Sequence, residues 1–141
     1  MRRGQLSLDF VLAVSFLVIF LQSFVAFSDG MIAGQDYVSV SAQQRSIANQ
    51  IEQTIMSGNS VSGHLFARID FGVPDINSPS GRSIENCTVT LSELGGGKTR
   101  ILILTELAEL GDISHEKVVV ASKLTFPTTA IRCGDTISFT S

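Results

Sequence analysis

The sequence is poor in the residues that build reactive sites. It has two cysteines, Cys87 and Cys133, and two histidines, His64 and His115, scattered along 141 residues. No C-x-x-C is present, and four such dispersed ligands do not make a tetrahedral metal centre. Asp70, Asp75 and Asp112 make at most a weak calcium set, which nothing in their spacing requires. Lys and Arg number ten against thirteen Asp and Glu, for a net charge of -3. With no basic stripe, nucleic-acid binding is not indicated. "ELGGGKT" lacks the glycine of a phosphate-binding loop, since Ser92 stands five residues before Gly97. A helix must also follow such a loop to aim its N-terminus at phosphate, and "RILILTEL" reads as a strand. "HEK" at His115 lacks the second histidine of H-E-x-x-H. His64 and His115 begin predicted strands as solvated polar residues. No catalytic constellation and no cofactor site emerge, so the chain reads as a non-enzyme.

Charge is also missing from one long stretch. Between Phe10 and Phe27 no residue is charged, and Ser15, Gln22 and Ser23 alone are polar. As a helix this run covers about 27 Å, enough to cross a bilayer core. Arg2 and Arg3 precede it and hold that end in the cytoplasm, so the rest of the chain faces outward. A cleaved secretory signal needs small residues after the apolar core. Here the run ends "SFVAFSDG", with Phe24 and Phe27 at those places. A plain membrane anchor fits the length but gives no reason for Asp9, an acid at the edge of the run that is costly inside a bilayer.

The opening "RRGQLSLDF" resembles the class III (prepilin-type) signal peptide of archaeal type IV pilin-like proteins over about the first 27 residues. Those carry a short basic leader, cleavage after glycine, and a Gln-x-Ser-x-Glu motif before the apolar run. The resemblance implies cleavage after Gly4, Gln5 as the new N-terminus, Ser7 as the motif serine, and Asp9 in place of the family's Glu. It implies a precursor held in the membrane by a single span, a prepilin peptidase and a pilus assembly machinery as partners, and a mature subunit in a surface filament. There the apolar helix packs against identical or related pilin subunits. Asp9 pairs with the free amine of a neighbour's Gln5, since an unpaired carboxylate in a dry core is expensive.

Downstream, Ile47, Ile51 and Ile55 recur at helical spacing and form a stripe expected to pack on the chain's own globular domain. Gly58 and Asn59 make a helix stop. The reading is a helix over residues 5–57 behind a leader of residues 1–4, loosened near Gly30 and Gly34, each of which costs roughly 1 kcal/mol against alanine.

From residue 58 to 141 the period changes to two. "HLFARIDF" puts Leu65, Ala67, Ile69 and Phe71 on one face. "GVPDINSPSGRS", with two prolines and two glycines, is an exposed loop. In "ENCTVTLSEL", Cys87, Val89 and Leu91 point inward, and Asn86, Thr88 and Thr90 outward. "GGGK" turns the chain, and "TRILILTEL" is apolar on both faces like a central strand. "HEKVVVASKLTF" sets Val118, Val120, Leu124 and Phe126 on one side. "DTISFTS" ends as a strand with Ile137 and Phe139 inward. The fold class is α+β: a long N-terminal apolar helix followed by a small antiparallel sheet of about five strands, pilin-like.

Cys133 shares the parity of Ile137, so both cysteines face one core. In an exported domain a Cys87–Cys133 disulfide is expected, worth roughly 4 kcal/mol by loop entropy; the alternative is two buried thiols. "NCT" at Asn86 is the one N-x-[ST] sequon, and outward parity leaves room for a glycan. The family is commonly N-glycosylated, so the resemblance implies a glycan at Asn86; the alternative is an unmodified asparagine, since such tripeptides often arise by chance.

Taken together, the expected protein is a structural pilin subunit of a type IV pilus-like filament used for adhesion. The alternative is an uncleaved, membrane-anchored extracytoplasmic binding module. A secreted hydrolase is disfavoured by the missing constellation.

Overall fold

The computed structural model describes residues 3–61, 68–120 and 130–140. Among the described residues one helix, α1 (Arg3–Val61), is followed by six strands: β1 (Arg68–Gly72), β2 (Ile84–Gly95), β3 (Lys98–Leu107), β4 (Gly111–Val120), β5 (Ala130–Arg132) and β6 (Thr136–Thr140). The α+β class read from the sequence holds. The single sheet does not: the strands form a four-stranded antiparallel sheet, β4-β3-β2-β5, and a separate pair, β1-β6. The chain divides into two compact units, Met1–Gln35 and Asp36–Ser141.

In the first unit the helix is uninterrupted through Gly30 and Gly34, against the expected loosening. Breaking a helix there would require a second nucleus and would strand backbone N–H and C=O groups in an apolar stretch. Two glycine penalties of about 1 kcal/mol each are smaller than that. All fourteen large apolar side chains from Leu8 to Phe27 are exposed.

In the second unit the same helix becomes one-sided. Val40, Ile47, Ala48, Ile51 and Ile55 are buried and share a core with strand residues. The isoleucine stripe therefore packs on its own domain, as its spacing predicts. Gly58 is buried on that face and helical, so α1 runs past the expected stop to Val61. Packing of this face outweighs a local propensity of about 1 kcal/mol.

The sheet supplies the other side of the core. Val89 and Leu91 of β2 are buried, as are Ile101, Ile103 and Leu107 of β3. β3 lies between β2 and β4 and is half-buried on its outer face, as expected of a central strand. β2 and β3 join through Gly96 and Gly97, since Gly95 pairs with Lys98. Both loop residues have positive φ, at 63° and 71°. That is the type I′ hairpin, which only residues free of a Cβ clash adopt readily.

β4 corrects the expected parity. Val119 is buried, whereas Val118 and Val120 are exposed. Three consecutive valines carry no alternation of their own, so β3 sets the register: Thr99 opposes Val119 and Thr105 opposes Ile113. β4 also begins at Gly111 rather than at His115. His64, Leu65, Ala67, Leu124 and Phe126 lie outside the described residues, as does the side chain of Phe139. Ile69 and Phe71 are half-buried against the core, and Ile137 is fully buried.

Candidate functional site

The first candidate is the N-terminal segment. Gly4, Gln5 and Ser7 lie in the opening turns of α1, with side chains outside the described residues. Asp9 is exposed two turns from the start of the helix. Beyond it, α1 is, among the described residues, the one helix long and apolar enough to cross a membrane, and none of its most apolar window is buried. Ser15 and Ser23 hide their polarity by donating to the carbonyls of Val11 and Ile19 at 2.8 and 2.9 Å. This back-bonding lets hydroxyls sit in an apolar helix. Among the described residues the helix thus offers an exposed apolar cylinder with one acid at its start.

The second is a charged node that the sequence reading missed. Asp36 is fully buried on the inward face of α1. Its Oδ1 accepts from the Ser78 hydroxyl at 2.9 Å and the Ser80 N–H at 3.1 Å. Its Oδ2 accepts from the Ser80 hydroxyl at 2.5 Å and forms an ion pair with Arg82, whose Nε lies 3.2 Å away. The Ser80 hydroxyl above all holds the carboxyl below its ordinary value of 3.8, helped by the Ser80 N–H, Ser78 and Arg82 and opposed by burial. Arg82 also donates to Glu109 at 2.7 Å, and Glu109 adopts a left-handed φ of 71°. Two turns further, Gln43 grips the backbone of Asn77 through its Oε1 and its Nε2, at 2.9 and 2.7 Å. The loop of residues 73–83 is therefore fastened to the helix by side chains. The missed signal was available: stepping back from Ile51 by helical turns reaches Ala48, Gln44, Val40 and Asp36.

Gln44 is buried in the same stripe. Its amide donates to Thr105 Oγ1 at 3.0 Å and to the Ile113 carbonyl at 2.8 Å. Lys117, on the inner face of β4, reaches Glu52 at 2.5 Å and Asn49 at 2.6 Å. His115 sits half-buried on that face rather than solvated. Burial first, then Arg45 and Lys117, push its imidazole below the ordinary 6.5. These contacts tie helix to sheet and place no nucleophile beside a base.

The third is the cysteine region. Cys87 and Cys133 are bonded, with their Cα atoms 5.4 Å apart. The bridge links β2 to the turn between β5 and β6. Asn86 is exposed and borders an open hollow of about 600 Å³, shared with Asp75, Glu85 and Arg132. Asp70 accepts a hydrogen bond from Ser138 at 2.6 Å, Asp75 lies against Gly134, and Asp112 opposes Glu106. These three acids are not gathered, and among the described residues no group of three or more His, Cys, Asp and Glu is placed to hold a metal.

No protein-family model, curated protein or solved structure matches this chain.

Proposed function

We propose that the protein is a pilin-like structural subunit. It enters the membrane by α1 and is cleaved after Gly4 by a prepilin peptidase. It is then assembled through the same helix into a type IV pilus-like surface filament that serves attachment. The observation that carries this reading is the fully exposed apolar surface over residues 8–27, headed by Asp9. Lipid and the packed centre of a filament are both dry, so exchanging one for the other costs little hydrophobic energy. Asp9 then sets registration, because its charge must meet the amine of a neighbour's Gln5. The outward domain has the stapled core of an exported protein, held by the Cys87–Cys133 bridge.

The test is the N-terminus of the native protein. Cleavage after Gly4 removes two of ten basic residues and takes the net charge from -3 to -5. Intact mass should show a chain starting at Gln5, and Gly4→Val should leave the leader attached and abolish filaments under the electron microscope. A native chain retaining Met1 would instead make this an uncleaved, anchored extracytoplasmic module.

A further inference from the structure

The sequon and the disulfide share a residue. Asn86, Cys87 and Thr88 form the N-x-T tripeptide, and Cys87 is bonded to Cys133. The tripeptide lies in β2, which has a neighbour on each side. Asn86 is paired with Glu106 of β3, and Thr88 is paired with both Leu104 of β3 and Arg132 of β5. The Cys133 N–H donates to the Cys87 carbonyl at 3.1 Å, extending the ladder beside the bridge.

N-glycosyl transfer needs that tripeptide free. Asn86 Nδ2 must attack C1 of a sugar carried on a polyprenyl phosphate. The N–C1 bond forms, the C1–O bond to phosphate breaks, and the lipid phosphate leaves with the electron pair. The amide proton passes to a base on the transferase. The enzyme has to surround the Asn carboxamide and the Thr hydroxyl together, and an interior strand bonded on both edges cannot enter such a cleft. The product is a different matter. Asn86 is exposed beside the open hollow, where Asp75, Glu85 and Arg132 present polar groups to a sugar already attached. The closed domain therefore accommodates the glycan but not its transfer.

We infer that Asn86 is an acceptor for a polyprenyl-linked sugar only until the Cys87–Cys133 bridge closes, so that bridge formation sets how much of the protein carries the glycan. The inference rests on the reading above in requiring that the domain is exported. Export from N- to C-terminus provides the interval, since Cys87 crosses 46 residues ahead of Cys133.

The experiment offers full-length protein in two states to membranes of the native cells, which hold both transferase and lipid-linked sugar. The mass of the peptide containing Asn86 is then read. Reduced, unfolded chain should be modified at least tenfold more than folded, oxidised chain, and Thr88→Ala should abolish the signal in both. In cells, Cys133→Ser should raise occupancy at Asn86, because a sheet that forms without the bridge is less stable and opens β2 to the transferase more often. Equal transfer to both states, or none to the unfolded chain, would overturn the inference. The N-terminus is read from the same samples: an intact leader would sink the filament assignment while the order of the two modifications stands or falls on Asn86 alone.

Discussion

Asp36 shows how much one buried charge can organise. A carboxylate removed from water is unstable unless its oxygens are satisfied, and here three hydrogen bonds and the Arg82 ion pair, all from residues 78–82, satisfy them. Asp36→Asn keeps the size but loses the charge that Arg82 and the seryl hydroxyls complement. It should lower the thermal midpoint and expose residues 73–83 to proteolysis first. Asp9 has the opposite surroundings: it is exposed. If it served a plain anchor, Asp9→Ala would insert at least as well. In a filament, removing it leaves a buried amine uncompensated, a penalty of roughly 3–5 kcal/mol per contact. Asp9→Ala should therefore insert normally yet give few or fragile filaments, while Asp9→Glu assembles. Unchanged filament yield from Asp9→Ala would remove the pairing role.

At the scale of elements, the helix obeys two different constraints along its length. Over residues 8–27 it is apolar all round, so sequence periodicity has nothing to report there. From Asp36 onward it is one-sided, and burial of the isoleucine stripe supplies its stability. Ile51→Ala should cost about 2–5 kcal/mol in urea denaturation, since it empties a fully buried site between helix and sheet. Gly34 behaves differently. A Cβ at this position would meet nothing within 4 Å in the single chain. Gly34→Ala should thus raise the helix content of the detergent-solubilised chain, with a gain of up to about 1 kcal/mol. A loss of helix in circular dichroism would show that the glycine serves a close approach. In β4, alternation was not legible because Val118, Val119 and Val120 are chemically identical. The inner face was decided by pairing with β3, and its Lys117 is tolerated inside because Glu52 and Asn49 wait on the helix.

For the whole molecule, the bridge and the titrating groups define how stability responds to conditions. The Cys87–Cys133 link spans 46 residues and should contribute about 4 kcal/mol, chiefly by restricting the unfolded chain. Cys133→Ser should lower the unfolding midpoint while the sheet persists in circular dichroism. Acidification should act in two stages. His115 binds its proton less readily when folded, so stability begins to fall as pH drops below 6.5. Asp36 also binds its proton less readily when folded, so a second loss begins as pH falls through 3.8 toward the lowered folded value. Urea midpoints measured across pH should show both, with His115→Gln removing the first and Asp36→Asn the second.

What the amino-acid sequence determined by itself is local or periodic. An uncharged run of eighteen residues can only be dry, whatever surrounds it. Isoleucines every fourth residue declare a packed helical face, and three glycines before a strand declare a hairpin. The parity of Cys87 and Cys133 pointed to one core, and they are bonded, Cys87 from β2 and Cys133 from the turn before β6. Tertiary structure alone decided the rest. The split into two sheets and the face of β4 each depend on partners distant in sequence. Asp36 is the sharpest case: helical spacing puts it on the buried stripe, but what makes a charge tolerable there is not local, because its cost is cancelled only when Ser78, Ser80 and Arg82, some forty residues away, fold back and surround it.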